Sequence, residues 1–171
     1  SIMPNWCHNR VSFSGTTEDI ENLVATLTGE TTRFDFNKVI PMPEELSGIA
    51  SPVTAFKTNA EVDAYNAKRP QGDGLFIIGK AITHAKHKAL LKKYAHADWY
   101  NWSIENWGCK WNNGDDIAIE DEEEGYIRYS FETPWGPPEG IYHKLVAEFP
   151  DVQITWFYDE PGMQFSGYLP N

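Results

Sequence analysis

Apolar and polar residues alternate through 7–14, a period of two that predicts a β-strand with Val11 and Phe13 facing inward. Gly15 ends the run. Thr16 and Asp19 then carry capping-box spacing, and Ile20, Leu23, Val24 and Leu27 repeat at i, i+3, i+4 and i+7. That pattern predicts an amphipathic helix stopped by Gly29. Periodicity fades over 30–57, where the apolar stretch 34–43 is broken by Pro41 and Pro43 and reads as an extended, packed loop or short edge strand. Thr58 and Glu61 open a second, short helix that must end before Pro70, and 71–74 reads as a turn. A longer helix is expected from about Gly79 towards Ala97, with Ile82, Ala85, Ala89, Leu90 and Tyr94 on its apolar side.

Residues 99–111 hold four tryptophans in thirteen positions, Trp99, Trp102, Trp107 and Trp111. Indoles at that density bury area out of proportion to the segment's length, so it is expected to wrap over the core and clasp an insert to the rest of the domain. After Gly114 the period returns to two. Ile117 and Ile119, then Ile127, Tyr129 and Phe131, alternate with polar residues around a loop at 122–125, which predicts a hairpin with one covered and one wet face. The segment 133–138 leads into a helix with proline in its first turn, Ile141, Leu145 and Phe149 inward, and Pro150 as its end. Val152, Ile154 and Trp156 mark another strand, Asp159 and Glu160 begin a turn, and 163–168 supply a last edge strand.

The order is β-α, a long insert, then β-β-α-β and one further strand. Without the insert this is βαββαβ, so the predicted fold is α+β: a ferredoxin-like sandwich with a long, mostly helical insert after the first helix and an extra C-terminal edge strand. A single domain over 1–171 is expected, divided into a first β-α unit (3–29), the insert with its tryptophan-rich segment (30–114) and the remainder (115–171). Met3 reads as the natural start, with Ser1 and Ile2 added ahead of it.

Charge changes this picture. Twenty-five acids against 14 bases give a net charge of −11, which disfavours nonspecific nucleic-acid binding and favours solubility or a basic partner. The charge is uneven: 80–97 hold five lysines, three histidines and no acid, whereas 115–124 hold seven acids and no base. Solvated faces or separate docking patches both produce such runs. No apolar run reaches membrane-spanning length, and two cysteines are too few for a secreted disulfide scaffold, so a cytoplasmic, reduced protein is expected.

Four motifs stand in order along the chain: Met3-Pro4-Asn5-Trp6-Cys7-His8-Asn9, Val39-Ile40-Pro41-Met42-Pro43, Asn106-Trp107-Gly108-Cys109-Lys110-Trp111-Asn112 and Thr133-Pro134-Trp135-Gly136-Pro137-Pro138. With them the chain resembles the Api92-like, or YubB, ferredoxin-like family of phage- and plasmid-encoded bacterial proteins. The resemblance implies the ferredoxin-like fold, a mobile-element origin and a place in the cytoplasm of a bacterial host cell. It brings no catalytic residues to carry over.

No cofactor is implied. Cys7 and His8 are adjacent on a strand and face opposite sides, so they do not share a metal ion without a kink, and zinc spacing is absent; no metal site is expected. A cysteine nucleophile needs a histidine base, and nothing in the spacing sets Cys7 or Cys109 against His84, His87 or His96. The acid pairs Asp115-Asp116 and Asp159-Glu160 sit at expected turns, where carboxylates are usually solvated. Phosphate-loop, dinucleotide, zincin and nucleophile-elbow motifs do not occur.

The leading expectation is therefore a non-enzymatic binding protein of a phage or plasmid that contacts a host or element-encoded protein, in a counter-defence or regulatory role. An acidic protein can occupy a basic nucleic-acid site by charge complementarity, although the lysine-rich helix dilutes that likeness. The alternative is a module binding a nucleotide or single-stranded nucleic acid in an aromatic cleft between insert and sheet, with Tyr126, Tyr129, Trp156 or Tyr158 as stacking platforms. An uncharacterised enzyme is the third class. Candidate binding residues are Trp6, His8, Trp99, Trp102, Trp107, Lys110, Trp111 and Trp135.

Overall fold

The alternation at the start of the chain folds as read. β1 (Trp6–Ser14) buries Cys7, Asn9, Val11 and Phe13 on one face and leaves His8 and Arg10 exposed on the other. The structure is a computed structural model that describes residues 5–69 and 79–171; the start at 1–4 and the expected turn at 71–74 lie outside them. Within α1 (Thr17–Leu27) the Thr16 hydroxyl accepts from Asp19 N, and Ile20, Leu23 and Leu27 are buried. The helix ends on Thr28, whose N–H and hydroxyl both return to Val24 O.

The next segment departs from expectation. Instead of an extended loop, 34–43 contains a single helical turn, α2 (Phe36–Val39), capped by Asp35, whose Oδ1 accepts from Asn37 N at 2.9 Å. Asn112 and Asn113 hold it in place: Asn112 Oδ1 accepts from Phe36 N at 2.8 Å, and Asn113 Nδ2 donates to Phe34 O at 2.9 Å. The side chains of Phe34 and Phe36 drop into the core and are fully buried.

By contacts the described chain forms two compact units, one from 42–103 and one from the two flanking segments. The insert thus starts at Met42, later than the expected 30, and ends at Ser103 rather than 114, because 30–41 pack with the ferredoxin-like core. Within this first unit, β2 (Ala55–Phe56) pairs in parallel with β3 (Ile82–Thr83). Between them lies α3 (Asn59–Lys68), capped by Thr58 and ending before Pro70 as expected. Asn66 binds Ala81 in both directions, Nδ2 to O and Oδ1 from N. α4 (His84–Tyr94) starts five residues after the expected Gly79, because Ile82 and Thr83 are used in β3 and Thr83 serves as the cap. α5 (Trp99–Asn106) turns the tryptophan-rich segment into a helix, with Asp98 accepting from Asn101 N at 2.7 Å.

In the second unit, β4 (Ala118–Glu123) and β5 (Tyr126–Pro134) form the expected hairpin. α6 (Glu139–Glu148) follows with Pro138 at its cap; Ile141 and Leu145 are buried, but Tyr142 rather than Phe149 is the third inward residue. β6 (Gln153–Glu160) and β7 (Phe165–Leu169) close the chain. All ladder pairs are antiparallel in the order β4-β5-β1-β6-β7. This is the ferredoxin-like arrangement with one added edge strand, α1 and α6 being its two helices.

The core of this unit is a ring cluster around Phe34, whose centroid lies 5.0 Å from Phe131, 5.3 Å from Tyr129, 5.7 Å from Phe36 and 5.9 Å from Trp156. Edge-to-face pairs at such distances add about 0.5–1.5 kcal/mol each to the apolar burial.

Candidate binding surfaces

Tyr129, Trp156 and Tyr158 are not stacking platforms. Register places them on the inward face of the sheet with Val11 and Asn9, and all three are buried. Tyr126 alone of the four lies on the outward face, its hydroxyl 3.2 Å from Ser12 Oγ. Tyr158 and Trp156 share a face with Asn9, a polar residue that is itself buried, so polarity along β1 does not mark the outward face.

The nominated binding residues divide between the units. In the second, Trp6 and Trp111 meet edge to face at 6.0 Å, and Lys110 Nζ sits 5.2 Å over the Trp111 ring. Trp107 is buried and donates its indole N–H to Ile40 O at 2.8 Å, which makes it a fastener for the loop after α2. Trp135 is exposed at a positive φ of 71°, in a turn that Thr133 closes by donating to Gly136 O at 2.6 Å. His8 lies on the outward face with Nδ1 2.9 Å from Glu132 Oε1. In the first unit, Trp102 is buried and Trp99 packs on Tyr100 at 5.9 Å.

Both thiols are buried, and burial pushes each up to about 12 from an ordinary 9.0. A thiol so placed is protonated at neutral pH and a poor nucleophile. Asp159 and Glu160 lie in β6, not in the expected turn. Asp159 pairs with His8 in register, and Glu160 is fully buried with Oε2 accepting from Met163 N. Among the described residues no group of three or more His, Cys, Asp and Glu is placed to hold a metal ion, and no helix is long and apolar enough to cross a membrane.

Two concave surfaces in the second unit combine shape with charge. The first is a cavity of about 440 Å³ between α1 and the β4–β5 hairpin. The helix contributes Thr17, Ile20, Glu21 and Val24, one stripe at helical spacing, and the hairpin contributes 122–127. Ile20, Val24 and Ile127 supply apolar floor, while Glu21, Glu122, Glu123 and Glu124 supply carboxylates. Thr17 Oγ1 donates to Glu124 Oε1 at 3.3 Å, and Gly15 N donates to Gly125 O at 3.0 Å, so the tip is tied to the start of α1. Gly125 turns the hairpin at a φ of +75°, and a Cβ there would stand 2.6 Å from Gly15 O.

The second surface is the outward face of the sheet, where Arg10, Ser12, Arg128, Thr155, Phe157 and Tyr168 line a cavity of about 310 Å³. A β-bulge between Ile119 and Asp121 makes Glu120 an extra residue on the edge strand. Its Oε2 lies 3.1 Å from Arg10 Nε and 3.3 Å from Arg128 Nε. Neither arginine stands out in the sequence, because each is the only arginine or lysine on its strand and only the β1–β5 pairing brings them together.

Comparison with known proteins agrees with this architecture. Residues 106–170 match the family model for the ferredoxin-like domain in Api92-like protein. The uncharacterized protein YubB of Escherichia coli (strain K12) is 28% identical over 69 residues, 40% of this chain and 48% of that protein, so the match spans about half the relative's length. The crystal structure of protein api92 from Yersinia pseudotuberculosis superposes with a TM-score of 0.52 at 14% identity, covering 97% of this chain and 93% of that one, a likeness of fold. Over residues 106–170, then, the chain is similar to the ferredoxin-like domain in Api92-like protein, and the fold agrees with that match.

Proposed function

We propose that the protein is a non-enzymatic binding protein and that the cavity between α1 and the hairpin receives a basic segment of a partner protein. One observation carries this reading: an apolar floor of Ile20, Val24 and Ile127 lies beside four carboxylates, with no basic residue in the lining. A lysine or arginine side chain suits that combination, its aliphatic stem on the floor and its charged head among the acids. The net charge of −11 steers a basic partner towards the molecule and speeds encounter. The buried, protonated thiols support a binding role over nucleophilic catalysis. The mobile-element origin implied by the resemblance fits a partner encoded by the host or by the element itself.

The test uses wild-type protein and an E21K/E122K/E123K variant as paired baits, with stability compared beforehand. The proposal expects a basic protein to be retained by the wild type, lost from the variant and released by salt. A partner retained equally by both baits, or one that is acidic, overturns it.

A further inference from the structure

The outward face of the sheet holds a charge arrangement that the hairpin cavity does not explain. Arg10 on β1 and Arg128 on β5 both present Nε to one oxygen of Glu120, so two positive charges share one negative charge. Among the described residues neither guanidinium makes a side-chain hydrogen bond beyond this ion pair. Arg128 Nε itself, although 3.3 Å from the carboxylate, lacks a hydrogen bond of good geometry. Guanidinium forks match the oxygens of a phosphate or carboxylate two at a time. The contact with Glu120 leaves most of that capacity unused.

The neighbours decide between kinds of anion. Register sets Phe157 beside Arg10 and Tyr168 beside Phe157, with those two rings 5.3 Å apart. Ser12 lies between Arg128 and Thr155 in the adjoining row. Tyr168 is 63% exposed, and no core requirement explains an aromatic there. The face therefore offers guanidiniums, the hydroxyls of Ser12, Thr155 and Tyr168, and an open ring surface within one cavity of about 310 Å³, at the lower end of the range for small-ligand sites.

The face is also fenced. Glu132 and Asp159 flank His8 at one end, and Asp121 and Glu123 oppose Arg128 and Tyr126 towards the edge strand. A polyanionic strand crossing the sheet would meet these carboxylates within a few residues of the arginines. One phosphate would not.

We infer that this cavity binds a nucleoside monophosphate, its phosphate on Arg10 and Arg128 and its base against Phe157 and Tyr168, and that Glu120 occupies the phosphate's place in the free protein. The bulge that aims Glu120 across β5 makes it an internal competitor. A structural salt bridge alone predicts that removing the Glu120 charge leaves ligand binding unimproved; competition predicts that binding tightens.

Calorimetric titration of the full chain with adenosine 5′-monophosphate, adenosine, inorganic phosphate and an eight-residue oligothymidylate tests this. The expected order is saturable binding of the monophosphate, with adenosine and phosphate each weaker by about tenfold or more, and with the oligomer no tighter than the monophosphate. Arg10→Ala and Arg128→Ala should each weaken monophosphate binding by about tenfold, whereas Glu120→Gln should tighten it severalfold. The inference is overturned if neither wild type nor Glu120→Gln binds the monophosphate saturably. It is equally overturned if the arginine variants bind unchanged, if Glu120→Gln does not tighten binding, or if only the oligomer binds.

Discussion

Trp156 Nε1 donates a hydrogen bond to Asn9 Oδ1 at 3.0 Å, joining β6 to β1 inside the sheet's buried face. The amide of Asn9 continues the link, donating to Thr133 Oγ1 at 2.8 Å and Cys7 O at 3.2 Å. Asn9 thus satisfies an indole that no water reaches, and it ties three neighbouring strands together. Asn9→Ala orphans the indole N–H and should cost about 2–3 kcal/mol. Urea unfolding should show a lower midpoint at unchanged slope; a loss below about 0.5 kcal/mol would mean the network is redundant.

Phe34 sits where rings from β5, β6 and α2 converge, and its substitution should be more damaging than that of any apolar residue in the first unit. Phe34→Ala is expected to destabilise by about 3–5 kcal/mol, through lost burial and the cavity left among Tyr129, Phe131 and Trp156. Phe34→Leu should recover roughly half of that. Thermal and urea midpoints of both variants check the order.

Alkaline pH should weaken the fold through its thiols. Cys7 and Cys109 ionise near 9.0 when unfolded and near 12 when folded, because burial disfavours the thiolate. Their contribution is complete below about pH 9 and is lost as pH rises from 9 towards 12, since the unfolded chain alone releases the protons. A Cys7→Ala/Cys109→Ala variant should lose less stability than wild type between pH 8 and pH 10. At pH 8 a thiol reagent should label the native protein slowly and both cysteines at once on unfolding.

Gly125 has a narrow requirement. At a φ of +75°, with a prospective Cβ 2.6 Å from Gly15 O, alanine is excluded both by conformation and by space. Gly125→Ala should cost about 2 kcal/mol and move the hairpin tip off α1. Binding of a basic probe to the α1–hairpin cavity should weaken with it.

Much of the fold was legible because its elements carry their own signals. Thr16 and Thr58 cap the helices their spacing announces, and the alternation in β1, β5 and β6 survives into the sheet. Where reading failed, the deciding partner lay far away in sequence. Asn112 and Asn113 hold 34–36 in place, and β2 claims Ile82 and Thr83 that otherwise continue the α4 pattern. The binding surfaces were less legible still. Tryptophans drew the eye, yet Trp102 and Trp107 are buried, while Arg10 and Arg128 are 118 residues apart and meet only through Glu120.

Whether the α1–hairpin cavity receives a basic segment is decided by amide chemical-shift mapping during titration with a short peptide of alternating arginine and leucine. Saturable shifts are expected in 17–24 and 122–127, weakening with salt and absent from the E21K/E122K/E123K variant. Shifts spread evenly over all acidic surfaces, or persisting unchanged in that variant, would contradict that expectation.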